Sequence, residues 1–377
     1  MCALTACNAT KFVPQGQYLL NDVKVIVEDT KDVPPADLMK YVQQKQNTEI
    51  LGFWKLQLGI YNTASKDSTK WTSRNARKLG EAPVVFSAPM ADASCLQLKR
   101  AMNNKGYFQA RVDTTMQVKM RKVNMRYHVT ANKPYMLRHY LVDVFHDELR
   151  SVAQNQRHCL IRNGMQFDAD LLNQERQRVA SAMRRRGYFY FDQEMLQFEA
   201  DSNRLQGNID VRMHLHETVQ KLSVDELDKI FRRYKIAHVS FHIDYDPSRV
   251  PDNKKMYASS QDGYIFTWVG KKLLREKMLI RNCPIQPGDR YNENLVERTY
   301  ARLNQLSPVK YVDISFEQIS ANELDCHIVL SRGKLNSVSA EIEGTYSAGD
   351  WGVAAGVGYV NRNLFRGAEE FSVNGRG

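Results

Sequence analysis

A seven-residue motif that recurs along the chain constrains its fold more than any other feature. Residues 102–108 have the sequence MNNKGYF and residues 183–189 have MRRRGYF, and the same offset aligns Leu98 with Val179. A third copy aligns residues 288–303 with residues 164–179 without a gap, although Ser307-Pro308-Val309 stands where the others have Gly-Tyr-Phe. The spacing is too long for a solenoid repeat, so the pattern predicts duplicated small domains.

Each copy has the same predicted anatomy. In the second copy Asp168 is placed to cap a helix, and Gly187 is placed to end it in the left-handed conformation. Two strands follow, and strict alternation in the second of them predicts a sheet with one packed and one solvated face. The alternating apolar positions are Val123, Met125, Tyr127 and Val129, then Ile209, Val211, Met213 and Leu215, then Leu324, Cys326, Ile328 and Leu330. A strand and a first helix precede these elements, which gives an α+β order of strand-helix-helix-strand-strand.

The repeat divides the chain into predicted regions. Residues 1–17 form an N-terminal linker, and three modules cover residues 18–132, 133–217 and 218–333. The first module carries a helical insertion at residues 50–62 and 71–79. The third carries an insertion at residues 246–263, which is rich in Pro, Asp, Ser and Lys and is predicted to be a surface loop.

Residues 334–377 show a different alternation. Val338, Ala340 and Ile342 alternate with polar residues, and residues 351–359 (WGVAAGVGY) alternate large apolar residues with Gly and Ala. An apolar face opposite a small-residue face is typical of a strand in a transmembrane β-barrel. The region is therefore predicted to hold the first barrel strands. Because the chain stops at Gly377 after about two of them, we expect a truncated barrel and a fragment of a longer protein.

The composition bounds partners and chemistry. The formal net charge of +11 allows an anionic partner, either nucleic acid or lipid headgroups. No run approaches the ~18–20 apolar residues of a spanning helix, so insertion into a membrane would need strands. The six cysteines are too few for a disulfide scaffold. No phosphate-binding loop or hydrolase motif is present, so we predict neither an enzyme nor a cofactor.

Two other patterns would suit different chemistry. His214 and His216 have the spacing of a metal-binding pair, but they alternate with core positions of a strand and are interpreted as solvated, so no metal is predicted. The basic-aromatic run around Tyr188 and Phe189 could suit a nucleic-acid-binding strand. The same residue types follow a helix end in both copies, where core packing explains them.

The N-terminus carries a short modification motif. Leu4-Thr5-Ala6-Cys7 has the form of a bacterial lipobox, in which an apolar residue and two small residues precede the cysteine that becomes lipid-modified. The charged and apolar regions of a signal peptide do not precede it. We predict lipidation at Cys7.

The helix that ends in Gly-Tyr-Phe, with the strands around it, resembles the polypeptide-transport-associated (POTRA) domain. These domains precede the barrel in the superfamily of outer-membrane insertases that includes BamA and TamA. Residues 363–370 (NLFRGAEE) are similar to an early turn of those barrels, with Arg366 and Ala368 in place of two glycines. The lipobox, residues 13–20 (VPQGQYLL) and residues 51–55 (LGFWK) are similar to the TamA-like lipoproteins of Bacteroidota.

The resemblance implies three tandem POTRA modules and a barrel in the bacterial outer membrane, with the modules facing the periplasm. It implies a receptor that binds unfolded outer-membrane proteins by β-augmentation and passes them to the barrel. Other assembly-machine subunits or an inner-membrane protein would be further partners, and nucleic acid would not. A two-partner secretion transporter, which shares the modules and the barrel, is the alternative.

The resemblance also assigns residues to this function. The client-binding edges are predicted at residues 107–119, 189–199 and 309–318, beside a groove lined by Leu98 and Met102. The residues assigned to these edges are Tyr107, Gln109, Arg111, Phe189, Phe191, Glu194, Val309 and Tyr311. Arg332, Gly333 and Lys334 would form the hinge to the barrel.

Overall fold

The computed structural model describes residues 9–50, 55–65, 70–203, 207–243, 256–347 and 350–377. The chain divides into two compact units. The first comprises Met1–Asp143, Gln156–Glu175 and Phe198–Met213, and the second comprises Val144–Asn155, Arg176–Gln197 and His214–Gly377. The predicted lipidation site, Cys7, lies outside the described residues. In the described ranges, no helix has the length and apolar character needed to cross a membrane.

The first sheet is mixed and three-stranded. Its strands β1 (Leu19–Val27), β2 (Arg111–Lys119) and β3 (Lys122–Thr130) lie in the order β1-β3-β2. Strand β1 runs parallel and β2 antiparallel to β3. Between β1 and β2 come helices α1 (Pro35–Leu38), α2 (Leu56–Thr63), α3 (Trp71–Leu79) and α4 (Ala88–Asn104). Helices α2 and α3 lie where the sequence predicts inserted helices.

The core of this sheet lies between its packed face and α4. The predicted alternation along β3 is confirmed, because Val123, Met125, Tyr127 and Val129 are all buried. Leu98 and Met102 of α4 are fully buried in the same cluster. Burial of a side chain of this kind stabilises a fold by about 1.5–3 kcal/mol. The prediction that Leu98 and Met102 line an open groove is therefore wrong, because their face of the helix is turned to the middle of the sheet.

The second sheet has the same strand order. Strands β4 (Met136–Asp143), β5 (Leu196–Asn203) and β6 (Asn208–Leu215) lie in the order β4-β6-β5, and helices α5 (Asp147–Ala153) and α6 (Ala169–Arg184) precede β5. Asp168 caps α6 as predicted, since its Oδ1 accepts hydrogen bonds from the N–H groups of Asp170 and Leu171 at 2.8 and 3.3 Å. In the first unit, Leu137, Phe167 and Ile209 belong to one buried cluster.

The third sheet has two more strands than the others. Strands β7 (Lys235–Ile243), β8 (Met256–Gln261), β9 (Tyr264–Val269), β10 (Val309–Gln318) and β11 (Glu323–Arg332) lie in the order β10-β11-β7-β9-β8. Helices α7 (Glu217–Gln220) and α8 (Val224–Ile230) precede this sheet, and α9 (Glu276–Arg281) and α10 (Glu293–Asn304) precede β10. The predicted alternating positions of β11 are fully buried.

The added strands correct the predicted surface loop at residues 246–263. In the described part of that segment, residues 256–261 form β8, which pairs antiparallel with β9. Asp262 and Gly263 connect them with φ of +53° and +81°. Asp-Gly is the dipeptide that two-residue hairpin turns prefer, so the signal is present in the sequence, but the polar composition around it obscures it. Phe266 of β9 is buried and stacks on Phe241 of β7 at 5.2 Å between ring centroids.

The C-terminal residues form an open antiparallel sheet. Strands β12 (Asn336–Ser347), β13 (Asp350–Asn361) and β14 (Phe371–Arg376) lie in sequence order. The register pairs Val338 with Tyr359, and Tyr359 in turn with Val373. Facing residues in such a register share one side of the sheet, so the apolar residues of the three strands form one surface.

The Gly-Tyr-Phe motif of the first copy forms a backbone joint in the first unit. Gly106 ends α4 with φ of +84°, as predicted. Its carbonyl accepts a hydrogen bond from the N–H of Tyr135, and the carbonyl of Tyr135 accepts one from the N–H of Phe167, both at 2.9 Å. Phe108 packs its ring 5.0 Å from that of Tyr135. The motif therefore binds the start of the second sheet.

The second copy of the motif forms the same joint within the second unit. Gly187 has φ of +103°. Its carbonyl accepts from the N–H of Tyr234, whose carbonyl accepts from the N–H of Tyr291, again at 2.9 Å each. Phe189 packs its ring 5.0 Å from that of Tyr291. The repeat in the sequence is thus a repeat of one backbone arrangement.

We expect Gly106→Ala to destabilise the protein far more than a matched glycine change. A Cβ at Gly106 would lie 2.7 Å from the carbonyl oxygen of Phe167, in addition to the left-handed strain of about 1–2 kcal/mol. Gly164 has φ of +83°, and a Cβ there would meet no heavy atom within 4 Å, so Gly164→Ala isolates the strain. Urea denaturation measures both, and equal losses would show that the joint tolerates a side chain.

Candidate functional site

Strand β2 is an edge of its sheet, and its turn sets which backbone groups face outward. Met120 and Arg121 join β2 to β3 with φ of +47° and +59°, which is the left-handed pair of a primed two-residue turn. In such a hairpin the flanking pair, Lys119 and Lys122, exchanges hydrogen bonds, and bonded and non-bonded pairs then alternate along the ladder. The N–H and C=O groups of residues 112, 114, 116 and 118 therefore point away from β3.

A hydrogen bond on the far side of β3 supports this phase. Val129 pairs with Val112. Its carbonyl accepts a hydrogen bond at 3.1 Å from the N–H of Glu28, at the end of β1, and so points away from β2. The Val112–Val129 pair is then a non-bonded one, as the turn requires.

The same even-numbered residues carry side chains on the helix side of the sheet. Val112 is half-buried against the core, but Met116 and Val118 are 52% and 47% exposed. Cys95 of α4 also packs against this core and is only partly buried. Burial, with Asp92 and Asp113, raises the pKa of its thiol, so the side chain stays uncharged. The helix side of β2 therefore presents an apolar strip formed by Val112, Met116 and Val118, and its outer end is exposed to solvent.

The first predicted edge begins later than expected. Tyr107 and Gln109 lie in the turn before β2, which starts at Arg111. Tyr107 is 1% exposed because it packs in the core below the joint. The assignment of Tyr107 and Gln109 to the edge strand is therefore wrong. Arg111 does lie on the strand, but its backbone groups belong to a bonded pair with Thr130.

The second predicted edge also begins later. Phe189, Phe191 and Glu194 precede β5, because Asp192 caps a 3-10 turn by accepting a hydrogen bond from the N–H of Glu194 at 2.9 Å. Phe191 is buried, and Phe189 packs against Tyr291 at the joint. The assignment of these three residues to the edge strand is wrong, and the strand starts at Leu196.

The third predicted edge coincides with β10, but aromatic side chains fill the packed side of the strand. Val309 is buried, and Tyr311 is 54% exposed. On the packed side, Phe316 lies 5.3 Å from the ring of Tyr291 and 5.6 Å from that of Phe189. Aromatic side chains therefore cover the packed side of β10, whereas the corresponding side chains of β2 are exposed.

The predicted hinge is a short link. Arg332 ends β11, and Nη2 of its side chain donates to the carbonyl of Lys271 at 3.1 Å. The N–H of Gly333 donates to the carbonyl of Pro308 at 2.8 Å. Lys334 follows, and β12 begins at Asn336. In the third copy of the repeat, the carbonyl of Pro308 thus bonds to the link before β12. In the first two copies, the carbonyl of the glycine bonds to the residue at the start of the next sheet.

One side of the β12–β14 sheet exposes large apolar residues. The most exposed of these side chains are Val338, Ile342, Tyr346, Trp351, Val353 and Val357. The rings of Tyr346 and Trp351 face each other across the hairpin at 4.9 Å. A contiguous apolar surface of this kind marks a site that meets an apolar partner or a membrane.

The turn after β13 contains Arg366 and Ala368, the two residues that the resemblance places where glycines would stand. Arg366 and Ala368 have φ of +62° and +61°, a region that glycine enters without cost. Glu369 holds the turn, since its carboxylate accepts from the N–H groups of Gly367 and Phe365 at 2.9 and 3.3 Å.

A charged cluster in the second unit connects α5 with the motif and with the segment before β7. Glu148 accepts a hydrogen bond from the hydroxyl of Tyr188 at 2.5 Å and another from Arg233. Burial would raise the pKa of Glu148, but the hydrogen bonds from Tyr188 and Arg233 outweigh it, so this pKa lies below its usual value. A lowered pKa in the folded state stabilises the protein above the unfolded pKa, and that contribution is lost as the pH falls.

We expect Glu148→Gln to destabilise the protein at pH 7 by about 1.5–3 kcal/mol, the range for a hydrogen bond to a charged group. The difference from the wild type should shrink below the ordinary glutamate pKa of about 4.3, as Glu148 becomes protonated. Glu217→Gln is the matched control, because Glu217 is largely exposed and its ion-pair partner among the described residues is the exposed Lys221. Denaturation over a pH series measures both, and a pH-independent difference would contradict the assignment.

The histidines on and beside these strands have local roles. Nδ1 of His216 accepts a hydrogen bond from the N–H of Thr218 at 3.2 Å and caps α7. His242 stacks on His327 at 5.6 Å. Among the described residues, no group of three or more His, Cys, Asp or Glu side chains is placed to hold a metal ion.

No protein-family model matches the chain, and no curated protein matches it in sequence. Among solved structures it is similar to the POTRA3-5 region of Haemophilus influenzae BamA, at 14% identity and a TM-score of 0.41, over 85% of this chain and 99% of that one. It is also similar to BamA from Haemophilus ducreyi lacking POTRA domains 1-3 (13%, 0.43), over 64% of this chain and 37% of that one. CdiB from Acinetobacter baumannii is similar at 11% identity and 0.29, over 64% and 38%.

Proposed function

We propose that the chain is the periplasmic receptor arm of an outer-membrane protein assembly factor, built of three POTRA modules. It binds unfolded client polypeptides by β-augmentation, and β2 is the main docking edge. The observation that supports this is the coincidence of outward-facing backbone groups and an exposed apolar strip on the same residues of β2. A client strand would pair with residues 112–118 and lay alternate side chains over Met116 and Val118.

The chemistry of this edge suits many clients. Main-chain hydrogen bonds supply affinity without depending on the client's sequence. Met116 adapts its shape to different side chains, since it is unbranched and polarisable. Arg111 and Lys119 mark the two ends of β2, and charges on an edge strand oppose pairing between copies of the same protein.

The remaining parts of the chain complete the proposal. The exposed apolar side of β12–β14 would face lipid as the beginning of a barrel, with residues 332–334 as the hinge. A lipid on Cys7 would anchor the N-terminus to the membrane. In the alternative, a two-partner secretion transporter, the same edge would bind one dedicated partner. Competition between unrelated client peptides for β2 would favour the assembly factor.

We expect Thr114→Pro to weaken peptide binding by at least about tenfold, because it removes an outward N–H and places a ring where the client strand would lie. The ladder to β3 should survive, since proline is tolerated on an edge strand whose N–H faces solvent. Thr114→Ala keeps the N–H and should bind as the wild type does. The assay is fluorescence anisotropy with a labelled extended peptide of alternating apolar and polar residues.

Circular dichroism of both variants checks that the sheet is intact. Equal affinities of the two variants, with both folded, would exclude β2 as the docking edge. Position 114 is preferred to position 111 for this test, because a proline in place of Arg111 would remove a hydrogen bond inside the sheet.

A further inference from the structure

The outer face of α3 combines large apolar side chains with cations. Trp71 and Leu79 are 70% and 73% exposed. Lys70, Arg74 and Lys78 are exposed as well, and none of these three forms an ion pair in the part of the chain that the structure describes. The sequence from residue 70 to residue 80 contains no Asp or Glu. The face is therefore both apolar and uniformly basic.

The inner face of α3 is fixed in place. Ser73 is buried, and its Oγ accepts a hydrogen bond from the N–H of Ser65 at 3.0 Å. Nη2 of Arg77 donates to the carbonyl of Ser65 at 3.2 Å. Gly80 follows the helix, where a Cβ would collide with the backbone of Tyr61 in α2. Because these contacts set the rotation of the helix, Trp71 and Leu79 are held on the solvent side.

We propose that this face of α3 docks on the surface of an anionic phospholipid bilayer. Basic side chains near such a surface are attracted by its negative potential, and tryptophan is enriched at the level of the headgroups. A helix of nine residues is ~13 Å long, so it would lie in the interface and would not cross it. The contact is distinct from the apolar side of β12–β14 and from lipidation at Cys7.

The combination of residues favours a bilayer over other anionic partners. A nucleic-acid duplex or an acidic protein surface would satisfy Lys70, Arg74 and Lys78 through charge. Trp71 and Leu79 would gain nothing from phosphate groups, whereas a bilayer accepts both the cations and the apolar side chains. Exposed apolar residues of this size cost the free protein solubility, which a membrane contact would offset.

The test is co-sedimentation of the full chain with vesicles of phosphatidylcholine, alone or mixed with phosphatidylglycerol. The variant Lys70→Glu/Arg74→Glu/Lys78→Glu should lose its preference for the anionic vesicles by at least about tenfold. The matched control is Lys31→Glu/Lys45→Glu/Lys133→Glu, which makes the same charge change at exposed lysines elsewhere in the first unit. The control should retain the preference within about twofold. Equal losses in the two variants, or no loss in either, would overturn the proposal.

A second variant separates the bilayer from other polyanions. Trp71→Ser/Leu79→Ser leaves the charge unchanged and should weaken binding to anionic vesicles by about tenfold. If this variant binds those vesicles as the wild type does, the face recognises charge alone and the bilayer is excluded. All substituted residues are exposed, so the variants should fold, and their thermal unfolding should match that of the wild type.

Discussion

The architecture depends on one backbone contact, the hydrogen bond from the first residues of a sheet to the carbonyl of a helix-ending glycine. Gly106 and Gly187 can make it because their positive φ turns the carbonyl outward. The missing Cβ also leaves room for the backbone of Phe167 at Gly106 and for the side chain of Arg290 at Gly187. The two aromatic residues that follow Gly106 have different contacts. Tyr107 packs in the core of the first sheet, and Phe108 packs against Tyr135. A motif that looks like a helix end followed by a strand is in fact a connector, and this accounts for its recurrence.

The turn between β2 and β3 has a comparable effect on the candidate edge. Two left-handed residues fix the phase of the ladder, and the phase decides that the outward backbone groups and the helix-side side chains belong to the same residues. A shift by one residue would turn Met116 and Val118 to the opposite face, away from the helix side of the sheet. The edge of β10 has the same place in its sheet, but Phe316 and its aromatic neighbours fill the corresponding space.

Much of the fold could be predicted from the sequence, because period-two alternation depends directly on which side of a strand is buried. The alternating apolar residues of β3, β6 and β11 follow this rule. The Asp168 cap and the two glycine helix ends could also be predicted, because they depend on local backbone geometry. The edge strands are harder to place. Tyr107 and Phe189 continue the apolar pattern toward the strand, but Tyr107 packs in the core of the first sheet and Phe189 packs against Tyr291 at the joint. The sequence predicts that Leu98 and Met102 line the surface beside β2, but both face the core, and the exposed apolar residues there are Met116 and Val118 of the strand itself. Which side chains stay exposed depends on tertiary packing, which no local pattern encodes.

The composition of the joint has a consequence for how such a chain can change. Its bonds involve main-chain atoms, and both insertions enter elsewhere: α2 and α3 between β1 and α4, and β8 and β9 between β7 and α9. A module can therefore acquire new surface, such as a basic helix or an extra hairpin, while the connection to its neighbour keeps the same atoms and distances. The bonds that attach a module to its neighbour and the segments inserted into a module involve different residues, so the insertions can vary while the attachment stays the same.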